Sequence, residues 1–137
     1  ELGLRPEAGA KEETDEGALM RDHTTLRAFE SADQLAMLVY EHTRGFPDDE
    51  RFGLTAQMRR GAVSIASNIV EGCARNSKAD YVRFLDMAYG AARELEYQIS
   101  LAARLGFLMP KSVAAVQPAC EETSKVLNGL IRALRKS

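Results

Sequence analysis

Polar side chains able to bind one another or a ligand recur at steps of three or four residues in the middle of the chain. Because an α-helix has about 3.6 residues per turn, this spacing puts them on a single helical face. This polar stripe contains amide, hydroxyl, carboxylate and guanidinium groups: Gln57, Arg60, Ser64, Asn68, Glu71 and Arg75. If the stripe is buried, its members must satisfy one another, and we expect Glu71 to form an ion pair with Arg60 or with Arg75.

Apolar residues on the other side of the same segment indicate how far the polar stripe is buried. They repeat every seven residues, at Ala56, Val63 and Val70. A helix with apolar residues on two sides is expected to lie between two packing partners, which would leave the polar stripe half-buried. A hydrogen-bonded network that fixes helix register is one interpretation of the stripe. A contact with a ligand or a nucleic acid is the other.

A second set of residues suited to recognition lies further along the chain. Tyr89, Arg93, Tyr97 and Arg104 follow one another at steps of four and seven residues, on the outer face of a predicted helix. Aromatic rings and guanidinium groups can stack on unpaired bases and hold phosphates. The same residue types are enriched at protein interfaces. A solvated face, a subunit interface and an RNA contact all remain open for this set.

The residue patterns of enzymes and metal sites do not occur. Di-iron helical bundles need Glu-x-x-His pairs, and neither His23 nor His42 has a glutamate three positions before it. Neither a Walker motif nor the pattern G-x-G-x-x-G is present. Cys73 lies near Arg75, which would lower the pKa of the thiol, but no histidine base is close in sequence. We therefore predict a protein that is not an enzyme, with no catalytic residues, no metal and no cofactor.

Four segments with helical periodicity are expected to position these side chains. The clearest is the third, whose apolar stripe is Tyr81, Leu85, Ala88, Ala92, Leu95, Ile99 and Ala102. Ser77 before it, Gly106 after it and Pro110 at the start of the fourth segment are typical helix boundary residues. The predicted helices cover residues 26–43, 54–75, 78–105 and 110 to the end. With short connections, they predict an all-α fold, an antiparallel up-down-up-down four-helix bundle.

Composition and charge divide the chain at about residue 22. Residues 1–22 hold seven acidic and three basic residues, and they are polar and aperiodic. We expect a disordered acidic tail there, and the missing initiator methionine leaves open a non-native origin for part of it. Residues 23–137 form the predicted bundle domain, whose net charge of +2 is weak for a nucleic-acid binder. No apolar run long enough for a membrane span and no secretion signal occur, so we predict a cytoplasmic protein that does not bind membranes.

Residues 46–96 carry a specific resemblance to a known family. The residues that carry it include Phe46, Pro47, Glu50, Phe52, Gly53, Leu54, Gln57, Arg59, Arg60, Ser64, Ile65, Asn68, Ile69, Glu71, Gly72, Ser77, Phe84, Leu85, Ala88, Gly90, Glu94, Leu95 and Glu96. With the run from Val126 to Ile131, this pattern strongly resembles the bacterial four-helix-bundle proteins encoded by intervening sequences in 23S ribosomal RNA genes. The resemblance spans roughly residues 26–136. Gly61 and Val70 depart from it, since alanine is usual at both positions.

The resemblance implies a cytosolic bundle without known enzymatic activity. The family is similar to the accessory protein of diversity-generating retroelements, a pentameric basic barrel that contacts nucleic acid and a reverse transcriptase. A ring-shaped homo-oligomer, with a pentamer as the leading number, is thereby implied. The signature of the family extends the polar stripe by one residue, Arg59, but assigns no function to any member.

Apolar side chains that a single bundle would leave in water also predict self-assembly. Val63 and Val70 on the second helix, with Phe84, Met87 and Ala91 on the third, would remain in water in a monomer. We therefore expect a non-enzymatic homo-oligomer in which Val63, Val70, Tyr89, Arg93, Tyr97 and Arg104 are candidate interface or nucleic-acid contacts. RNA or DNA is a candidate partner. The alternative is an adaptor or scaffold that binds a protein partner and no nucleic acid.

Overall fold

The computed structural model describes residues 21–137, and every part of it that is regular is helical. It contains four α-helices and two 3₁₀ turns, in the order 3₁₀ turn His23–Thr25, α1 Arg27–His42, 3₁₀ turn Asp48–Glu50, α2 Leu54–Cys73, α3 Lys78–Arg104 and α4 Pro110–Lys136. No strand occurs between residues 21 and 137. The predicted all-α fold is confirmed, and the predicted helix boundaries differ from these by two residues at most.

Local chemistry explains why α3 begins and ends where it does. The Ser77 hydroxyl accepts a hydrogen bond from the backbone N–H of Asp80 at 3.1 Å, which satisfies one of the free donors of the first turn. At the other end, Gly106 has a φ of +81°, a conformation that glycine adopts without strain. Phe107 N donates to Ala102 O at 2.9 Å and Gly106 N to Ala103 O at 3.1 Å, which is a Schellman motif.

Each helix contacts the next one along the chain, and α4 returns to contact α1. The antiparallel register of α2 and α3 is visible at both ends, because Gln57 meets Gln98 while Gly72 lies against Tyr81. Between α1 and α4 the hydroxyl oxygens of Ser31 and Thr123 lie 2.7 Å apart. The arrangement is the predicted up-down-up-down bundle.

The core consists of one buried stripe from each helix. All seven residues of the stripe predicted for α3 are buried. The largest fully buried side chains are Leu26, Leu35, Val39, Met58, Ile65, Ile69, Tyr81, Leu85, Leu95, Ile99, Leu127 and Leu130. Pro118 lies on the exposed side of α4, and the helix continues through it.

The tail predicted for residues 1–22 lies outside the described residues except for its last two. Arg21 donates from its backbone N–H to Cys73 O at 3.4 Å. Asp22 caps the first 3₁₀ turn by accepting a hydrogen bond from Thr24 N at 3.0 Å. Among residues 21–137, no helix is both long enough and apolar enough to cross a lipid bilayer.

Candidate functional site

The polar stripe of α2 lies partly on the side of the helix that meets α3. Asn68 donates from its amide to the Ser64 carbonyl oxygen at 2.9 Å and to the Ser64 hydroxyl at 3.1 Å. Gln98 on α3 donates to Gln57 Oε1 at 3.4 Å. These contacts are short-range links along α2 with one bridge to α3. They are sparser than the continuous network that the sequence predicts.

The prediction that Glu71 forms an ion pair with Arg60 or Arg75 is wrong. Arg75 donates from Nε to the backbone carbonyl of Glu71 at 3.2 Å instead of binding its carboxylate. Within residues 21–137, none of the ion pairs involves Arg60, Arg75 or Glu71. The reason is exposure: Ser64, Asn68 and Arg75 are half-buried as expected, but Gln57, Arg60 and Glu71 are open to solvent. Water solvates exposed charges well, so little is gained by pairing them.

Arg59 lies on a different face of α2 from the other signature residues. Its Nε donates to the hydroxyl of Thr43 at 2.8 Å and its guanidinium carbon lies 4.7 Å from the centre of the Tyr40 ring. Thr43 is buried and donates in turn to Val39 O at 2.7 Å. Arg59 therefore joins α2 to the C-terminal end of α1. One feature of the sequence indicates this separate placement: position 59 does not share the three- and four-residue spacing of the polar stripe.

Val63 and Val70 border an open groove between α1 and α2, which we call the α1/α2 groove. Its volume is about 690 Å³, and its lining is Phe29, Asp33, Ala36, Val63, Ser64, Ala66, Ser67, Asn68, Val70 and Glu71. Val63 is 43% exposed, and the neighbouring α1 side chains Met37 and Tyr40 are 70% and 44% exposed. The two valines therefore border α1 instead of forming a face of α2 opposite to the core.

The four α3 candidates fall into two environments. Arg93 donates to the Tyr89 hydroxyl at 3.0 Å and forms an ion pair with Glu96 at 3.3 Å, and both partners raise the pKa of its guanidinium. Glu96 also accepts a hydrogen bond from the Ser124 hydroxyl. This chain of contacts lines a polar groove of about 360 Å³ between α3 and α4.

Tyr97 and Arg104 lie on the outer side of α3, away from that polar groove. Tyr97 is 58% exposed, and the guanidinium carbon of Arg104 lies 6.0 Å from the centre of its ring. Arg104 donates to the Ser100 hydroxyl at 3.3 Å and forms no ion pair among the described residues. Spacing alone predicts that the four residues form one continuous face of α3. In the structure, α4 packs beside Tyr89, whereas Tyr97 is exposed to solvent.

Both cysteines are free and buried, and burial raises the pKa of both thiols. Burial raises the pKa of Cys73 to about 11, and nearby Arg21 opposes this only in part. Burial, with Glu96 and Glu121, raises the pKa of Cys120 to about 12. The expectation that Arg75 gives Cys73 a lowered pKa is therefore wrong: the arginine that favours the thiolate is Arg21, and desolvation outweighs its charge.

The histidines make isolated contacts. His42 Nδ1 lies 2.8 Å from the Ser112 hydroxyl, which links α1 to α4. The His23 ring meets the Phe29 ring edge-on at 4.8 Å between centres. In the part of the chain from residue 21 onward, no three His, Cys, Asp or Glu side chains group closely enough to hold a metal ion.

Comparison with known proteins gives one family and one fold. A family model described as 23S rRNA-intervening sequence protein matches residues 24–129. No curated protein matches the chain by sequence. Among solved structures, the chain is similar to a protein of unknown function from the S23 ribosomal protein family of Bacteroides thetaiotaomicron. The TM-score is 0.71 at 23% identity, covering 77% of this chain and 98% of that one.

Proposed function

Since the chain belongs to the 23S rRNA-intervening sequence protein family, we propose that it is a non-enzymatic, cytoplasmic scaffold that assembles into a ring-shaped homo-oligomer, with a pentamer favoured. The observation that carries the proposal is the apolar α1/α2 groove. Its lining includes the exposed side chain of Val63 with Phe29, Ala36 and Val70, and Met37 and Tyr40 are further exposed side chains on α1. Soluble monomers seldom leave contiguous apolar surface in water, so a second copy of the chain is the occupant that we infer.

The position of the groove favours contacts between unlike faces. Helices α1 and α3 lie diagonally across the bundle, because each helix contacts its two neighbours in the order α1, α2, α3, α4. The outer side of α3 therefore faces away from α1. Contacts between two different faces of successive copies are heterologous, and such contacts generate rings when the rotation closes.

The outer side of α3 also complements the groove in charge and chemistry. Tyr97 offers an exposed ring, and the guanidinium carbon of Arg104 lies 6.0 Å from its centre. The groove is bordered by the carboxylates of Asp33 and Glu71, neither of which forms an ion pair within residues 21–137. Tyrosine and arginine are residue types that dominate the binding energy of many interfaces.

The test is the molar mass of the purified protein, followed by a mixing experiment. Light scattering of the wild type at micromolar concentration should give several times the 15.1 kDa of one chain. Val63→Glu blocks the groove and Tyr97→Glu blocks the α3 side, so each variant alone should be monomeric. Mixed together, they should form a heterodimer, because each supplies the face that the other lacks.

Separate outcomes test separate parts of this proposal. A wild type of about one chain mass would overturn self-assembly and favour the alternative, an adaptor whose groove takes a different protein. An oligomeric wild type whose two variants do not combine would overturn only the pairing of these faces. Ala114→Glu, on an exposed position of α4, is the matched control and should keep the wild-type mass.

The burial of both thiols supports the non-enzymatic part, since the most readily activated nucleophiles of the chain stay protonated.

Association with RNA or DNA is a second candidate function. The clustering of arginine side chains at one end of the bundle favours it.

A further inference from the structure

We propose that the corner where α2 ends and α3 begins binds the phosphate backbone of single-stranded nucleic acid. The binding groups are the guanidiniums of Arg21, Arg75 and Arg83, which we call the arginine corner. The inference rests on the second candidate function, nucleic-acid association. It assigns that function to a different place from the α3 side chains that the sequence predicts.

Two of the guanidiniums share one aromatic ring. The guanidinium carbon of Arg75 lies 4.8 Å from the centre of the Phe84 ring, and that of Arg83 lies 4.7 Å from the same centre. Attraction between a cation and the face of an aromatic ring holds each side chain in place. Phe84 thereby keeps two positive charges close together that would otherwise move apart.

The third guanidinium is fixed to the same corner by direct contacts. Arg21 lies 4.1 Å from the centre of the Tyr81 ring. Its Nη1 donates to the backbone carbonyl oxygen of Arg75 at 3.0 Å. Tyr81 and Phe84 lie one turn apart on α3, so three guanidiniums from three segments of the chain converge on one turn of that helix.

Two of the three guanidiniums form no ion pair with any residue from 21 to 137. Arg83 forms an exposed ion pair with Asp80 at 3.3 Å, whereas Arg21 and Arg75 form none with the described residues. The repulsion among the three groups favours the binding of an anion. Lys78 follows the corner at the start of α3, and Lys136 ends α4 at the same end of the bundle, where Arg135 is paired with Asp86.

The chemistry of the corner fits phosphate better than a carboxylate peptide. Guanidinium groups bind phosphate oxygens through two parallel hydrogen bonds, and positions already held on aromatic rings lose less side-chain entropy on binding. A guanidinium plane can also stack on an unpaired base. Two guanidiniums held near one ring therefore suit a flexible single strand with accessible phosphates and bases.

The test is fluorescence anisotropy of a labelled single-stranded oligothymidylate at several salt concentrations. The corner variant is Arg21→Gln with Arg75→Gln and Arg83→Gln. The control variant removes the same charge from the opposite end of the bundle by Arg44→Gln, Arg51→Gln and Lys111→Gln, all at exposed positions. We expect the corner variant to bind at least about tenfold more weakly, with a shallower salt dependence by about two in log–log slope, and the control to change less than about twofold.

Several results would overturn the proposal. They are absence of wild-type binding at low salt, an equal or larger loss in the control variant, and displacement of the oligonucleotide by polyglutamate at equal charge concentration. If the triple variant loses helix content, the exposed single variant Arg83→Gln serves instead, with a loss of about threefold expected and an unchanged affinity contradicting the site. A monomeric wild type that binds through the corner would overturn self-assembly and leave this site intact.

Discussion

Gly72 of α2 lies so close to Phe84 of α3 that a Cβ atom added at the glycine would stand 3.0 Å from the Phe84 Cβ. The same added atom would be 3.3 Å from Cδ1 of Tyr81. The two helices therefore approach each other at a position where only a glycine leaves both rings undisturbed. These are the rings that carry the guanidiniums of the arginine corner.

Gly72→Ala should lower the free energy of unfolding by about 1 kcal/mol, because overpacking against Phe84 outweighs the better helix propensity of alanine. Gly61→Ala is the matched control in the same helix, since its added Cβ would meet only Gln98 Oε1 at an ordinary 3.7 Å. That substitution should stabilise the protein by about 0.5–1 kcal/mol. Urea denaturation of both variants measures the difference, and a stabilised Gly72→Ala would contradict the close approach.

Leu95→Ala should lower the free energy of unfolding by about 2–5 kcal/mol, because Leu95 is fully buried in the core and its truncation leaves a cavity. The denaturation midpoint should fall accordingly. Glu94→Ala, next to it on the exposed side of α3, should change the midpoint little. Equal midpoints for Leu95→Ala and wild type would mean that this face of α3 does not form the core.

Arg59→Met should lower the free energy of unfolding by about 1–2 kcal/mol, because it removes the donors to Thr43 Oγ1 and to Tyr40 O while keeping the side-chain length. Arg60→Met is the control, since Arg60 is exposed and should change stability by less than about 0.5 kcal/mol. Thermal unfolding of the pair gives the comparison. Similar losses in both would argue against a specific link between α1 and α2.

Stability should fall as the pH rises from 9 toward 11–12, because both thiols release their protons less readily when folded. The pKa of Cys73 is raised from 9.0 to about 11 and that of Cys120 to about 12, so the folded state binds more protons in this window than the unfolded state. Below pH 8 both states are protonated and the effect is absent. Urea midpoints at pH 8 and pH 10 should differ more in the wild type than in the double variant Cys73→Ala with Cys120→Ala.

The helix boundaries follow from the sequence because short-range chemistry determines them. Ser77 caps α3, Gly106 ends it and Pro110 begins α4, and each acts through neighbours within a few residues. The phase of α3 is also correct, because its apolar residues recur without interruption from Tyr81 to Ala102, over about six turns. Patterns of this kind need no information about distant parts of the chain.

The surroundings of the candidate residues depend on distant packing, and there the sequence was insufficient. Tyr89 and Tyr97 belong to one stripe by spacing, but only Tyr89 is covered by α4. Spacing predicts the Glu71 carboxylate, one turn away, as a partner of Arg75, but the guanidinium of Arg75 lies by the Phe84 ring of the next helix. Arg59 finds its partners on α1. In each case the partner belongs to another helix. The orientation of that helix about its own axis depends on tertiary packing, which local sequence patterns do not determine.

The hydroxyl contact between Ser31 and Thr123 has a consequence for how the chain folds. It belongs to the α1–α4 interface, where the contacting residues lie 92 positions apart, whereas every other helix interface joins neighbours in sequence. Loop-closure entropy is therefore large at this one interface and small at the others. The three hairpins formed by successive helices can fold rapidly from local contacts. The packing of α1 against α4 then completes the four-helix bundle. Contact order is thus concentrated in the α1–α4 interface, and a circularly permuted chain that joins the two ends would transfer it to the interface at the new break.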